Sequence, residues 1–156
     1  MSFRGRHASR KSDADGRQAV SVDADAAREY FIFGDKGQEI EVKKKIALIC
    51  DAAEDRKAEN IVVMEMGEKS SIGAYFIVMS AASTVRVKAI VDHIETQMEE
   101  AGQRVFHKEG LKEAVWVLLD FGEVIVHVFH HETRKFYSLE TLWGDAPQKH
   151  YHPPSR

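Results

Sequence analysis

The 156-residue chain lacks a second cysteine, an excess of basic residues and any long apolar run, and each absence removes a class of protein. Cys50 has no partner for an internal disulfide, so the fold rests on packing, as expected in a reducing compartment. No run approaches the roughly 20 apolar residues that span a bilayer, which sets membrane insertion aside. Lys and Arg number 22 against 25 Asp and Glu, a balance of −3, so the chain has no general attraction for phosphate backbones and no direct nucleic-acid readout is expected. There is no Gly-x-Ser-x-Gly elbow and no internal repeat. What remains is 44% hydrophobic and 30% charged, enough for one packed core with a wet exterior. At this length a single domain is expected.

Charge is unevenly spread. Residues 1–20 carry five basic and two acidic side chains, residues 21–41 two basic and six acidic, and the remainder 15 basic and 17 acidic. The first 20 residues hold almost no large apolar side chains beyond Phe3 and Val20, too few to offset the entropy of ordering, and read as a disordered tail. The basic start over 1–12 suits an organellar targeting segment poorly, because acidic residues set in at Asp13. Tyr30-Phe31-Ile32-Phe33 before Gly34-Asp35-Lys36-Gly37 is a compact apolar cluster entering a turn.

From residue 42 the periodicity predicts elements. Val42, Ile46, Ile49, Cys50 and Ala53 form the stripe of an amphipathic helix, with Lys43, Lys44 and Lys45 on its wetter sides. Residues 61–64 and 75–79 read as buried strands joined by a loop containing Gly67, Ser70, Ser71 and Gly73. Ser83 or Thr84 caps a helix whose apolar positions Val87, Ile90, Val91, Ile94, Met98 and Ala101 run to Gly102. A short strand at 104–107 completes an expected parallel crossover unit. Residues 115–120 and 124–129 form a hairpin about Phe121-Gly122-Glu123. Alternation sets Val115, Val117 and Leu119 against Trp116, Leu118 and Asp120. Ser138 caps a last short helix containing Leu139 and Leu142. The expected fold is α/β, a single mixed sheet flanked by helices.

Each candidate chemistry has a plainer explanation beside it. His127, His130, His131, His150 and His152 crowd the last thirty residues, but their spacing fits no zinc template and the last two sit in a Pro-ended tail. Gly67-Glu68-Lys69-Ser70-Ser71 lacks the spacing of a phosphate loop, and a turn with a helix-starting serine accounts for it. Glu65 and Asp120, each near a strand end, are the pair that would hold magnesium in a nucleotidyl transferase. Cys50 lies on a core stripe rather than in an activating setting. Trp116 follows the polar loop Glu109-Gly110-Leu111-Lys112-Glu113; it is either half-buried core or the aromatic anchor of an interface.

Several blocks together resemble the ribosomal silencing factor family, also called Iojap-like. They are Lys57-Ala58-Glu59-Asn60-Ile61-Val62-Val63, Ser70-Ser71-Ile72-Gly73-Ala74-Tyr75-Phe76, Val87-Lys88-Ala89-Ile90, and the Glu109-Gly110 loop before Trp116-Val117-Leu118-Leu119-Asp120. To these are added Gly122-Glu123-Val124-Ile125-Val126-His127-Val128-Phe129, Phe136-Tyr137-Ser138-Leu139-Glu140 and Leu142-Trp143-Gly144-Asp145-Ala146-Pro147. The match covers 41–147, leaving 1–40 as an N-terminal extension and 148–156 as a C-terminal tail. Ala74 stands where aspartate is frequent, and His107-Lys108 where Gly-Val is common.

The resemblance implies a nucleotidyltransferase-like fold without the catalytic acids, no enzyme activity and no cofactor. It implies binding to protein fourteen of the large ribosomal subunit, which blocks the small subunit and lowers translation under nutrient limitation. It also implies a bacterial cytoplasmic setting, with an organellar relative as the other case. Alternation and loop position single out Trp116 and Leu118 with Glu109, Gly110 and Leu111 as the partner-binding surface. A ribosome-assembly factor and a divergent magnesium-dependent nucleotidyltransferase are the alternative functions. A hairpin edge leaves open a homodimer of the free protein.

Overall fold

The computed structural model describes residues 37–153. The expected disordered tail at 1–20 and the apolar cluster at 30–33 lie outside them, and residues 37–40 of the expected extension open the first helix.

In chain order the elements are α1 (Gly37–Asp55), β1 (Glu59–Glu65), β2 (Tyr75–Ala81), α2 (Thr84–Glu100), β3 (His107–Glu109), β4 (Trp116–Asp120), β5 (Val124–His130), α3 (His131–Tyr137), α4 (Leu139–Leu142) and β6 (Gln148–His150). Both long helices form where the apolar spacing calls for them. The α1 stripe from Val42 to Ala53 is buried, as are Val87, Ile90, Val91, Ile94 and Met98 of α2. Ala101, expected to extend the α2 stripe, is exposed beyond the helix end. The Ser83 hydroxyl caps α2 by accepting from the Arg86 N–H at 3.1 Å. α1 ends as its Ala53 carbonyl accepts from the Ala58 N–H at 3.0 Å while Lys57 turns left-handed at φ 62°.

The six strands form one mixed sheet in the order β3-β4-β5-β2-β1-β6. Only β2 and β5 pair in parallel; the other four pairings are antiparallel. This central pair is buried on both faces, which explains its near-continuous apolar sequence. The short strand after α2 lies at 107–109 rather than 104–107. It runs parallel to β2 as expected, but with two strands between them, because the β4–β5 hairpin inserts there. The hairpin itself forms as predicted, with Val117 paired to Val128 and Leu119 to Val126.

Strand alternation separates two apolar layers. Val63, Ile77, Met79, Val117, Leu119, Val124, Val126 and Val128 pack under α1 and α2. Val62, Met64, Phe76, Val78, Ile125 and Phe129 face the other way, where Leu139 and Ala146 of the C-terminal segment cover part of the sheet.

Four expectations are corrected by tertiary packing. Lys43 and Lys45 are not on a wet side: they are 2% and 6% exposed. Lys45 Nζ reaches the Glu123 carboxylate and the Phe121 carbonyl, each at 3.1 Å, while Lys43 Nζ lies 5.9 Å from the centroid of the Tyr75 ring. Helix α3 was not predicted, since its one buried side chain is Arg134 and an apolar stripe is missing. Ser138 is a left-handed joint at φ 49° between α3 and α4 with no side-chain cap; its hydroxyl donates to Thr141 Oγ1. The stretch after Pro147 supplies β6, which pairs with β1 from Val62 to Met64.

Candidate functional site

On the uncovered part of the second face, next to the β3 edge, stand the residues singled out from the sequence. Glu109 pairs with Leu118 across β3 and β4, so both point to this face, and Trp116 follows two residues before Leu118 on the same side. Trp116 and Leu118 are half-buried, and Glu109 is exposed. The Glu109 carboxylate also meets His107 Nε2 at 2.7 Å.

Gly110 makes this corner possible. Its φ is +87°, and a Cβ there would stand 2.0 Å from the Trp116 carbonyl oxygen. The turn closes as the Ala114 N–H donates to the Gly110 carbonyl at 2.9 Å. Leu111 does not join the face. It packs from the opposite side against the layer beneath the long helices, and so anchors the loop from behind.

Trp116 is held by its neighbours. Its indole N–H donates to Nδ1 of His127 at 3.1 Å, and its ring lies 4.9 Å from Phe129 and 4.7 Å from Tyr137, centroid to centroid. Burial pushes the His127 pKa from 6.5 down to about 3, so the imidazole is neutral, and acceptance at Nδ1 puts its proton on Nε2.

The sequence reading missed the second half of this surface. Phe136, Tyr137 and Leu142, respectively 80%, 48% and 66% exposed, lie on α3 and α4, and the Tyr137 ring meets those of Trp116 and Phe136 at 4.7 and 5.0 Å, centroid to centroid. Phe136-Tyr137 within the C-terminal block was the available signal. Large exposed side chains next to a half-buried tryptophan are the composition of an interaction surface.

The catalytic alternatives find no assembly. Glu65 and Asp120 lie at the same end of the sheet, but β5 and β2 separate their strands, roughly 14 Å at the usual strand spacing. They also project from opposite faces, Glu65 with the Val63 side and Asp120 with the Leu118 side. Asp120 is fully buried and accepts from the Gly122 N–H at 2.8 Å, which fixes the hairpin turn. Glu65 is raised by burial, against the opposing pull of Lys43 and Lys149. Burial, reinforced by Asp51, also pushes the Cys50 thiol up, away from the reactive thiolate. Gly67–Lys69 is a 3-10 turn, and Ser70 accepts from the Ile72 N–H instead of starting a helix. No group of three or more His, Cys, Asp or Glu poised for a metal occurs among the described residues. None of their helices is long and apolar enough to cross a membrane.

Comparison with known proteins gives a consistent result. The sequence model of the family described as "Ribosomal silencing factor during starvation" matches residues 39–155. Ribosomal silencing factor RsfS of Bacillus subtilis is 42% identical over 105 residues, 67% of this chain and 89% of that protein. The chloroplastic protein Iojap of Zea mays is 34% identical over 101 residues, 63% of this chain and 42% of that protein. A crystallised protein from Chromobacterium violaceum superposes with a TM-score of 0.63 at 31% identity, covering 72% of this chain and 89% of that one. One from Bacillus halodurans gives 0.61 at 34%, covering 69% and 97%.

Proposed function

The chain belongs to the ribosomal silencing factor family, and from that premise we propose that it binds protein fourteen of the large ribosomal subunit and keeps the small subunit from joining. The observation that carries this reading is the family match over 39–155, nearly the whole described body. The contact uses the open strip of the sheet: Trp116 and Leu118 as apolar anchors, Glu109 as a charged rim, and Gly110 and Leu111 setting the loop.

The mechanism requires occupancy rather than chemistry. A body of this size has a radius of gyration of roughly 13 Å and is about 35 Å across, too thick for two subunits to close over. A standard patch of about 800 Å² per partner with a central aromatic anchor gives a stable complex. A surface rimmed by carboxylate suits a basic ribosomal protein better than bare phosphate, in keeping with the net charge of −3. The action is in the bacterial cytoplasm, on translation, and needs no cofactor.

The test is a subunit-joining assay on sucrose gradients. Saturating protein is expected to leave large and small subunits as separate peaks. An unchanged yield of joined ribosomes overturns the proposal.

A further inference from the structure

Behind the α3–α4 elbow, away from the exposed aromatics, lies a concavity of about 430 Å³ between the elbow, the start of β1, the end of β2 and β6. All ten residues lining it are polar. The β1 bulge builds one wall: pairing advances from Glu59↔Ser80 to Val62↔Val78, and Asn60 takes a left-handed φ of 50°. Arg134 builds the floor. Its Nη1 donates to the Glu59 carbonyl at 3.2 Å and to Ser80 Oγ at 3.0 Å, and its Nε and Nη2 donate to Glu140 at 3.0 and 2.5 Å.

The Arg134 charge is thus satisfied by Glu140, and other groups are left for a ligand. Among the described residues the Lys135 ammonium, the His150 ring, the Asn60 amide and the Glu59 carboxylate line this space without a side-chain hydrogen bond or ion pair. Lys135 and the N–H groups of His131 and His150 supply donors for an anion. Glu59 and Asn60 supply acceptors for hydroxyl groups. The lining holds no aromatic ring larger than the His131 and His150 imidazoles. We infer that the concavity is a binding site for a small sugar phosphate, with the phosphate at Lys135 and the histidines and the sugar hydroxyls at Glu59 and Asn60. The volume falls within the usual range for small-molecule sites, roughly 300–1,000 Å³. This site is separate from the docking strip and does not depend on the ribosomal reading.

The experiment is a nuclear magnetic resonance titration of the isotope-labelled full chain with ribose 5-phosphate, inorganic phosphate and ribose as separate probes. Saturable shifts are expected at the amides of Asn60, Ser138, Thr141 and His150, with ribose 5-phosphate binding at least roughly tenfold more tightly than either half. Lys135→Glu weakens ribose 5-phosphate and inorganic phosphate alike by about tenfold or more, whereas Glu59→Gln weakens ribose 5-phosphate and spares inorganic phosphate. Both side chains are exposed, and the spectra report directly that the fold is kept. Lys88→Glu, on the exposed side of α2, changes neither. Shifts that do not saturate, equal affinity for phosphate and ribose 5-phosphate, or an equal loss in Lys88→Glu overturns the assignment. Tighter binding of a short RNA at the same amides overturns it in favour of a polynucleotide.

Discussion

The indole N–H of Trp116 donates to Nδ1 of His127 at 3.1 Å across the β4–β5 pair, so the anchor of the proposed docking strip is fixed by a buried neutral imidazole. Trp116→Phe keeps an aromatic ring beside Phe129 and Tyr137 but leaves His127 without that donor. It is expected to lower stability by about 1–2 kcal/mol in urea denaturation while retaining most large-subunit binding. Trp116→Ala removes the anchor as well, and affinity for large subunits in a pull-down is expected to fall by about 2 kcal/mol, roughly thirtyfold. Binding at wild-type strength removes Trp116 from the interface.

His127 also makes stability depend on acidity. Its folded pKa of about 3 lies below the ordinary 6.5, so the unfolded chain binds the extra proton between those values. The contribution is complete above pH 6.5 and declines as pH falls toward 3. About 2 kcal/mol is expected to be lost between pH 6.5 and about pH 5 from this group. In a His127→Leu variant the slope of unfolding free energy against pH over that range is expected to flatten, whatever the baseline stability.

The buried pair Lys45–Glu123, with each side chain 7% exposed, ties α1 to the hairpin turn. Lys45→Met takes from the buried Glu123 carboxylate its ion-pair partner at 3.1 Å and is expected to cost about 3 kcal/mol. Adding Glu123→Gln removes the buried charge that Lys45 balanced, so the double variant is expected to unfold at a higher urea concentration than Lys45→Met alone. Equal or greater loss in the double variant shows that the charge pairing is not what matters there.

Two glycines with positive φ separate strain from collision. At Gly102 an added Cβ meets nothing within 4 Å, and Gly102→Ala is expected to cost about 1 kcal/mol from backbone conformation. At Gly110 the Cβ would stand 2.0 Å from the Trp116 carbonyl, and Gly110→Ala is expected to cost on the order of 3 kcal/mol and to weaken subunit binding by moving the loop. Equal melting temperatures for the two variants contradict the close approach.

The two faces of the hairpin were legible because side chains alternate with a period of two: Val117 and Leu119 had to oppose Trp116 and Leu118 whichever strands flanked them. The long helices were legible for the same reason at a period of 3.6, and the family blocks pointed to a silencing factor before any geometry. Lys43 and Lys45 were not legible, since a lysine reads as wet until its partner is known, and Glu123 lies 78 residues from Lys45. Helix α3 hides behind the single buried side chain Arg134, whose partners come from β1, β2 and α4. β6 has three exposed residues and no apolar signal; its pairing with β1 is what makes it a strand.

By itself, then, the sequence determined the periodic elements, the division of the core into two layers and the family. Tertiary structure decided which strands became neighbours, which charges were buried, and that Tyr137 would stand beside Trp116. The physical reason is range. Periodicity records how a residue meets the nearest core, whereas strand order, ion pairing and surface composition depend on contacts between residues far apart in the chain.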